Sequence, residues 1–285
     1  MNDSRLAPHS LAELLASARA QLDDPREAAL LVGHALGLSR EMLYAHPERT
    51  LSPEECEQAL ALVARRADGQ PVAYLTGQRE FYGLALQVGP AVLIPRPETE
   101  LVVELALERM KGIASPAVAD LGTGSGAIAL AIAHERADAR VTATDRSPEA
   151  LVVAANNARQ LDIANVKFVQ SDWLESLEHE RFDVIVSNPP YVAVGDPHLE
   201  QGDLRFEPSA ALSSGPDGLD DIRRIALEAK RYLKPNGNLI LEHGADQQAD
   251  VSALLAEQGY TDITGHRDLA HLPRAVSCKS QRQVA

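Results

Sequence analysis

The sequence predicts an α/β protein in which a small helical bundle and a β-hairpin precede a mainly parallel sheet. Residues 1–69 show apolar residues at helical spacing only. After Ala117, short apolar strands alternate with amphipathic helices. Such alternation is typical of parallel strands covered by helices on both faces.

Composition narrows the class of protein. The chain has 285 residues, of which 45% are hydrophobic, and it carries a net charge of −14. This acidity disfavours stable nucleic-acid binding, because proteins that grip phosphate backbones usually have a basic surplus. No apolar run reaches the roughly 18 residues of a membrane span, and the first residues lack a secretion signal. Cys56 and Cys278 lie far apart, which favours a reducing cytoplasm, and a monomer is expected.

The N-terminal segment predicts three capped helices. They begin after Ser10, after Asp24 and after Ser52, and the third stops at Gly69. Short connections between amphipathic helices predict a bundle. The bundle, assigned to residues 1–74, has no catalytic cluster, so we expect a substrate-recognition domain.

A β-hairpin linker is predicted over residues 75–96. Its strands would lie in "REFYGLALQV" and "AVLI", with the turn at Gly89 and Pro90. The catalytic domain, residues 97–285, then opens with a helix. Its strands are predicted in "AVADLG", "ARVTATD", "VKFVQ", "RFDVIVS" and "GNLILE", with an antiparallel edge pair in "YTDITGHRD" and "AVSCKS" and a frayed end in "SQRQVA".

A glycine loop, "DLGTGSG", follows the first strand of this domain and opens a helix. The order of strand, loop and helix is that of a Rossmann-like nucleotide fold. The second strand ends in Asp145, where a carboxylate can accept hydrogen bonds from ribose hydroxyls. The candidate cofactor contacts in the loop are Asp120, Gly122, Thr123, Gly124, Ser125 and Gly126.

The spacing of the loop distinguishes between two nucleotides. Dinucleotide folds use G-x-G-x-x-G and seat a pyrophosphate on the helix N-terminus, whereas this chain has G-x-G-x-G beside Asp120. A carboxylate there repels pyrophosphate and favours a cation, so S-adenosyl-L-methionine is preferred over NAD. Asp172 and Trp173 follow the third strand and are candidates for the adenine edge, although Trp173 could simply pack. We therefore predict a Rossmann-like class I S-adenosylmethionine-dependent methyltransferase domain.

The stretch "SNPPYV" follows the fourth strand and defines the candidate catalytic residues Asn188, Pro189 and Tyr191. Proline has no N–H and holds the residue before it extended. The corner therefore presents two acceptors, the Asn188 side-chain oxygen and the Pro189 carbonyl, which suit a planar –NH2 group. Tyr191 can lie against the flat face of that group, and Pro190 completes the predicted substrate-binding corner.

An amide or exocyclic amine is a poor nucleophile, because its lone pair is conjugated. Holding both N–H bonds would aim the lone pair at a sulfonium methyl group. A DNA or RNA base amino-methyltransferase shares this chemistry, but the acidic charge argues against it. A nucleotide-sensing module without turnover is a further alternative.

The chain resembles the HemK/PrmC family of protein-(glutamine-N5) methyltransferases. The resemblance lies in "QPVAYLTGQREFYGL", "VLIPRPETE", "DLGTGSGAIALA", "SDW", "IVSNPPYV", "DPHLEQGDLRFEPSAAL" and "LEHG". It implies S-adenosylmethionine as donor and the glutamine of the Gly-Gly-Gln loop of class I peptide-chain release factors as acceptor. Carried over, the glycine loop with Asp145, Trp173 and Asn188 would contact the donor, and the corner from Asn188 to Tyr191 would hold the glutamine.

Other candidates lie outside these motifs. Arg96 and Glu98 are predicted to form a rim of the acceptor pocket, with a plain helix start as the alternative. The long segment 192–220 is predicted to be a partially ordered lid over the acceptor site, with a mere insertion as the alternative. Glu242 and His243 end the fifth strand, where a supporting role is favoured over catalysis. The histidine spacing predicts no metal site.

Overall fold

The computed structural model describes residues 10–281, and the chain divides between Gly77 and Gln78 into two compact units. The predicted frayed end falls mostly outside the described residues, as do the first nine residues, where no secretion signal was predicted. The functional assignment of the units stays a prediction.

The first unit is entirely helical. Its helices are α1 (Leu11–Arg19), α2 (Pro25–Leu36), α3 (Arg40–Ala45), α4 (Pro53–Ala67) and α5 (Val72–Thr76). The three predicted caps accept backbone N–H groups at the starts of α1, α2 and α4. Helices α3 and α5 were not predicted, because segments this short have weak periodicity and depend on packing.

The second unit contains a two-stranded hairpin and a seven-stranded sheet. Its strands are β1 (Gln78–Phe81), β2 (Leu84–Gln87), β3 (Ala117–Leu121), β4 (Arg140–Asp145), β5 (Val166–Gln170), β6 (Phe182–Ser187), β7 (Leu233–Glu242), β8 (Thr261–Arg267) and β9 (Pro273–Lys279). Its α-helices are α6 (Glu100–Arg109), α7 (Ala127–Glu135), α8 (Pro148–Gln160), α9 (Asp220–Ala229) and α10 (Gln248–Glu257).

The sheet order is β5-β4-β3-β6-β7-β9-β8. Strands β3 to β7 are parallel, and β9 pairs antiparallel with both β7 and β8, as the predicted edge pair requires. The chain leaves β3 toward β4 and returns to pair β6 on its other side. In open α/β sheets such a switch point places a ligand crevice at the carboxyl ends of the strands.

The core lies on both faces of this sheet. From Val184 onward, alternate residues of β6 enter different clusters: Val184 and Val186 pack with α6 and α7, whereas Ile185 packs with α9 and α10. Burial on both faces explains why Val184, Ile185 and Val186 are all apolar, without the alternation of a half-exposed strand.

The predicted position of the hairpin turn is wrong. The strands β1 and β2 are joined at Tyr82 and Gly83, which have φ values of 51° and 76°. A two-residue turn needs such angles, which a tyrosine rarely adopts, so the sequence signal was weak. The carboxylates of Glu100 and Glu80 accept the N–H groups of Tyr82 and Gly83 at 2.9 and 2.6 Å, which offsets this cost. The Gly89–Pro90 dipeptide instead follows β2.

Buried Asn157 of α8 ties the hairpin to the sheet. Its Oδ1 accepts the Gln87 N–H at 2.7 Å, while its Nδ2 donates to the carbonyls of Gln87 and Ser125. One amide thus links β2, α8 and the glycine loop within the second unit. This role could not be predicted from the sequence, because an asparagine inside a helix has no local signature for distant partners.

The segment 192–220 carries three 3₁₀ turns, Pro197–Glu200, Gly202–Phe206 and Ser209–Ala211. It is anchored at its start, where Val192 donates to the Leu212 carbonyl at 3.0 Å and accepts from Ser214 at 2.9 Å. Its predicted function as a lid stays a prediction.

Candidate active site

Five parallel strands end at one edge of the sheet, and a cavity of about 380 Å³ opens there. The strand ends bring together the glycine loop after β3, Asp145 of β4 and the corner after β6. The cavity is lined by Pro90, Ala91, Val92, Leu93, Gly122, Gly124, Asp145, Arg146, Ser147, Glu149, Ala150, Ser171, Asp172, Trp173, Asn188, Pro190, Pro208, Ala210, Ala211 and Asp221.

The glycine loop has a backbone that side chains would strain. Gly122, Gly124 and Gly126 have φ values of 72°, 56° and 85°. Glycine adopts these angles without a Cβ penalty. A Cβ at Gly122 would lie 3.1 Å from the Trp173 ring, and one at Gly126 would lie 3.0 Å from Leu130. The glycines therefore permit both the turn and the close packing around it.

Asp120 lies beneath the loop rather than on the cavity wall. It is 1% exposed, and its Oδ2 accepts the Thr123 hydroxyl at 2.6 Å and the Ala129 N–H at 3.1 Å. Burial raises the pKa of Asp120 to about 7, although these two hydrogen bonds act in the opposite direction. The carboxyl thus occupies an N–H group in the first turn of α7, which a dinucleotide fold would use for a pyrophosphate.

Asp145 connects the loop to the start of α8. Its Oδ2 accepts the Gly124 N–H at 2.9 Å, and its Oδ1 accepts the Ser147 N–H at 2.9 Å. A carboxylate oxygen can accept two hydrogen bonds, so both oxygens retain capacity toward the cavity. These bonds fix the carboxylate at the end of β4, where the sequence predicted a ribose contact.

Trp173 and Asp172 both line the cavity after β5. Trp173 has a φ of 52° and packs its ring against Gly122. The Asp172 carboxylate accepts from the Arg224 guanidinium at 2.7 Å, an ion pair that the sequence did not indicate. The hydrogen bonds of Arg224 to Asp172 and Glu228 raise the pKa of the guanidinium.

The corner after β6 is held beside the glycine loop. The Ser187 hydroxyl donates to the Leu121 carbonyl at 2.7 Å, which ties the ends of β6 and β3 together. The Asn188 Nδ2 donates to the Thr99 hydroxyl oxygen at 3.1 Å. On the far side, Gln247 donates to the Tyr191 carbonyl at 2.9 Å. The four residues from Asn188 to Tyr191 are therefore fixed at both ends.

Tyr191 lies against a buried acid. Its hydroxyl donates to Oε1 of Glu242 at 3.3 Å, and Glu242 is 1% exposed. Burial raises the pKa of Glu242 to about 7, while the hydroxyls of Thr99 and Tyr191 and the charge of Arg274 act to lower it. Burial also raises the pKa of Tyr191. The neighbouring His243 is buried, and its Nδ1 donates to the Gly244 carbonyl at 2.8 Å.

Arg96 makes an ion pair across a long sequence separation. It donates to Oε1 of Glu207 at 2.5 Å, and Oε2 of the same carboxylate accepts the Ile94 N–H at 3.1 Å. The Glu207 side chain is fully buried. The pair joins the "IPRP" segment to the "RFEP" segment. Leu93, next to Ile94, and Pro208, next to Glu207, both line the cavity.

The structure therefore brings part of the predicted set to one cavity. Its lining includes Gly122, Gly124, Asp145, Asp172, Trp173, Asn188 and Pro190. It does not include Asp120, Thr123, Ser125, Gly126, Pro189, Tyr191, Arg96 or Glu98. Their predicted roles in binding or catalysis stay predictions. The exposed Glu98 is close enough to Glu242 to raise its pKa.

The sequence did not indicate residues 90–93 as part of the cavity wall, and it indicated Pro208, Ala210 and Ala211 only as members of the predicted lid segment. Pro90 was assigned to the hairpin turn and residues 91–93 to a hairpin strand, while the lid segment has no periodicity that would single out wall residues. Glu149 in the first turn of α8 and Asp221 in that of α9 were missed as well. An acidic residue at a helix start is common for capping alone, so it gives no specific signal.

Comparison with known proteins places the chain in a family. Residues 115–277 match a methyltransferase domain model, and residues 10–77 match the PrmC N-terminal domain. The release factor glutamine methyltransferase of Burkholderia pseudomallei (strain K96243) is 52% identical over 96% of this chain and 98% of its own. That of Escherichia coli (strain K12) is 45% identical, covering 91% and 94%.

A solved methyltransferase from Pyrococcus furiosus shares the fold, with a TM-score of 0.52 at 19% identity, over 76% of this chain and 97% of its own. The prediction of a class I methyltransferase fold is thereby confirmed. The methyltransferase-domain match likewise confirms S-adenosylmethionine as the cofactor. Among residues 10–281, no helix is long and apolar enough to cross a membrane. The chain belongs to the release factor glutamine methyltransferase family.

Proposed function

We propose that this protein transfers a methyl group from S-adenosylmethionine to the side-chain amide nitrogen of a glutamine in class I peptide-chain release factors. Membership of the family supports the reaction and the class of substrate. The glutamine of the Gly-Gly-Gln loop is the proposed acceptor. The proposed site is the strand-end cavity together with the corner from Asn188 to Tyr191.

The observation that carries the proposal is the direction of the Asn188 side chain. Its Nδ2 donates to Thr99, so its Oδ1 is available to accept from a substrate. Neither Pro189 nor Pro190 has an N–H, so the adjoining backbone offers only carbonyls. An –NH2 group brings two donors to this pair of acceptors, whereas a hydroxyl brings one.

The chemistry follows from these acceptors. Two hydrogen bonds orient the amide nitrogen, and they strengthen as positive charge develops on it. The nitrogen lone pair attacks the methyl carbon, the carbon–sulfur bond breaks, and its electron pair remains on sulfur. The methylated nitrogen then loses a proton to solvent. S-adenosylmethionine supplies the methyl group, and the chain aligns the amide nitrogen about 3 Å from the methyl carbon.

The cavity wall supports the placement of the donor. Asp145 is fixed where ribose hydroxyls can donate to it, and Trp173 offers an aromatic face beside Gly122. Asp120 removes a pyrophosphate position at α7, which favours a sulfonium nucleotide over a dinucleotide. The proposed donor contacts are Gly122, Gly124, Asp145, Asp172, Trp173 and Asn188.

The experiment is methyl transfer with isotope-labelled donor and a purified class I release factor. Mass spectrometry of its peptides should place one methyl group on the Gly-Gly-Gln glutamine. A variant factor with alanine at that glutamine should take up no label. Label on other residues only, or on duplex DNA instead of the factor, would contradict the proposal.

A further inference from the structure

Behind the corner lies a buried chain of polar side chains. The Asn188 amide contacts the Thr99 hydroxyl at 3.1 Å, and the Tyr191 hydroxyl contacts Oε1 of Glu242 at 3.3 Å. Thr99 is 4% exposed and Glu242 is 1% exposed. Thr99 lies near the Glu242 carboxyl, and its hydroxyl acts to lower the pKa of that carboxyl. Asn188 thus contacts Thr99, which lies beside the Glu242 carboxyl, and Tyr191 contacts that carboxyl directly.

The position of one proton decides how Asn188 is oriented. A threonine hydroxyl has a single proton, and an ionised carboxylate accepts hydrogen bonds but cannot donate. The buried Oε2 of Glu242 has no hydrogen-bond partner within residues 10–281, so an acceptor is free for the proton of the neighbouring Thr99 hydroxyl. Once that proton points to Glu242, the Thr99 oxygen can only accept. Asn188 must then turn its Nδ2 to Thr99 and its Oδ1 away.

We propose that Glu242 and Thr99 are positioning residues that fix the polarity of the Asn188 amide and so make the corner selective for –NH2 acceptors. This inference rests on the proposed function. Without the carboxylate, Thr99 can donate to the Asn188 oxygen, and the amide can rotate to present Nδ2. The Asn188 Nδ2–H would then face the N–H of the substrate amide, and the substrate nitrogen would lose its alignment.

The charged groups around Glu242 are consistent with this role. Arg274 supplies a positive charge that favours the carboxylate, while the nearby Glu98 disfavours it. The Tyr191 hydroxyl donates to the same carboxyl, so ionised Glu242 orients both side chains of the corner. Protonated Glu242 could instead donate to Thr99 and release the constraint, so turnover should rise with pH near neutrality.

The test compares turnover and donor affinity in four variants of the full-length protein, with a release factor as acceptor. Thr99→Val should lower kcat by roughly tenfold to a hundredfold, with the S-adenosylmethionine Kd changed less than about threefold. Thr99→Ser keeps the hydroxyl and should recover most of that loss. Glu242→Gln should lower kcat similarly and flatten its pH profile, because a glutamine amide can donate to Thr99 at every pH.

Thr142→Val is the matched control. Thr142 is a buried threonine whose hydroxyl donates to a carboxylate, Glu180, at 3.1 Å, but it lies near the start of β4. Its kcat should stay near the wild-type value. Thr99→Val with unchanged kcat, or Thr99→Ser as impaired as Thr99→Val, would overturn the inference. If the wild-type protein leaves the release factor unmethylated, the proposed function fails instead.

Discussion

Burying an ionisable carboxyl behind the corner should lower stability at neutral pH, and replacing Glu242 with glutamine should reveal how much. Burial raises the pKa of Glu242 from 4.5 to about 7. A group with a raised folded-state pKa contributes stability below its unfolded pKa, and this contribution disappears as pH rises through the folded pKa. Because the pKa of Glu242 rises from 4.5 to about 7, the free energy of unfolding is lower by roughly 3 kcal/mol at alkaline pH than at acid pH.

Glutamine mimics the neutral acid, since its Oε1 can still accept from Tyr191. Glu242→Gln should therefore resemble the wild-type protein at about pH 5 and exceed its unfolding free energy by about 2–3 kcal/mol at about pH 8. Urea unfolding followed by tryptophan fluorescence measures this difference. Trp173 is the only tryptophan and lies in the same compact unit as Glu242, so its signal reports on that unit.

The control for this measurement is Glu257→Gln at the exposed end of α10. Its stability relative to the wild-type protein should not change between the two pH values. If Glu242→Gln also shows a pH-independent difference, Glu242 is not held with a raised pKa. Burial of Glu242 would then carry no stability cost behind the corner.

Three further predictions concern the cavity and the corner. Gly122→Ala should lower the free energy of unfolding in urea by about 1 kcal/mol more than Gly124→Ala. Both variants place an alanine in the left-handed region, but only the first brings a Cβ to 3.1 Å from Trp173. Equal losses in the two variants would count against this contact. Pro189→Ala should lower kcat about tenfold while changing donor Kd little, because it restores a backbone donor and loosens the corner, and unchanged kcat would contradict the rigidity argument. Glu207→Gln should weaken donor binding several-fold in calorimetry, since it weakens the ion pair that joins two parts of the cavity wall; an unaltered Kd would show that the pair does not shape the wall.

Local signals in the sequence predicted the centre of the site. The largely apolar run "FDVIV" followed by Asn-Pro-Pro-Tyr identified β6 and its corner, because a strand buried on both faces is mostly apolar. Three glycines between a strand and a helix identified a loop, and all three adopt positive φ values. These features depend on backbone rules that act within a few residues.

Contacts between distant residues could not be predicted in this way. Arg96 was assigned to an acceptor rim, yet its partner Glu207 lies 111 positions away, and only the fold brings them together. The link from Asn188 to Thr99 spans 89 positions. The hairpin turn at Tyr82 was missed because a distant carboxylate compensates for its unfavourable backbone angle.

The most direct test of the account is a structure of the protein with S-adenosylhomocysteine and a release factor bound. The account predicts the glutamine amide nitrogen about 3 Å from both the Asn188 Oδ1 and the Pro189 carbonyl oxygen, facing the sulfur. An amide nitrogen remote from these two oxygens, or an Asn188 that turns its Nδ2 toward the substrate, would contradict it.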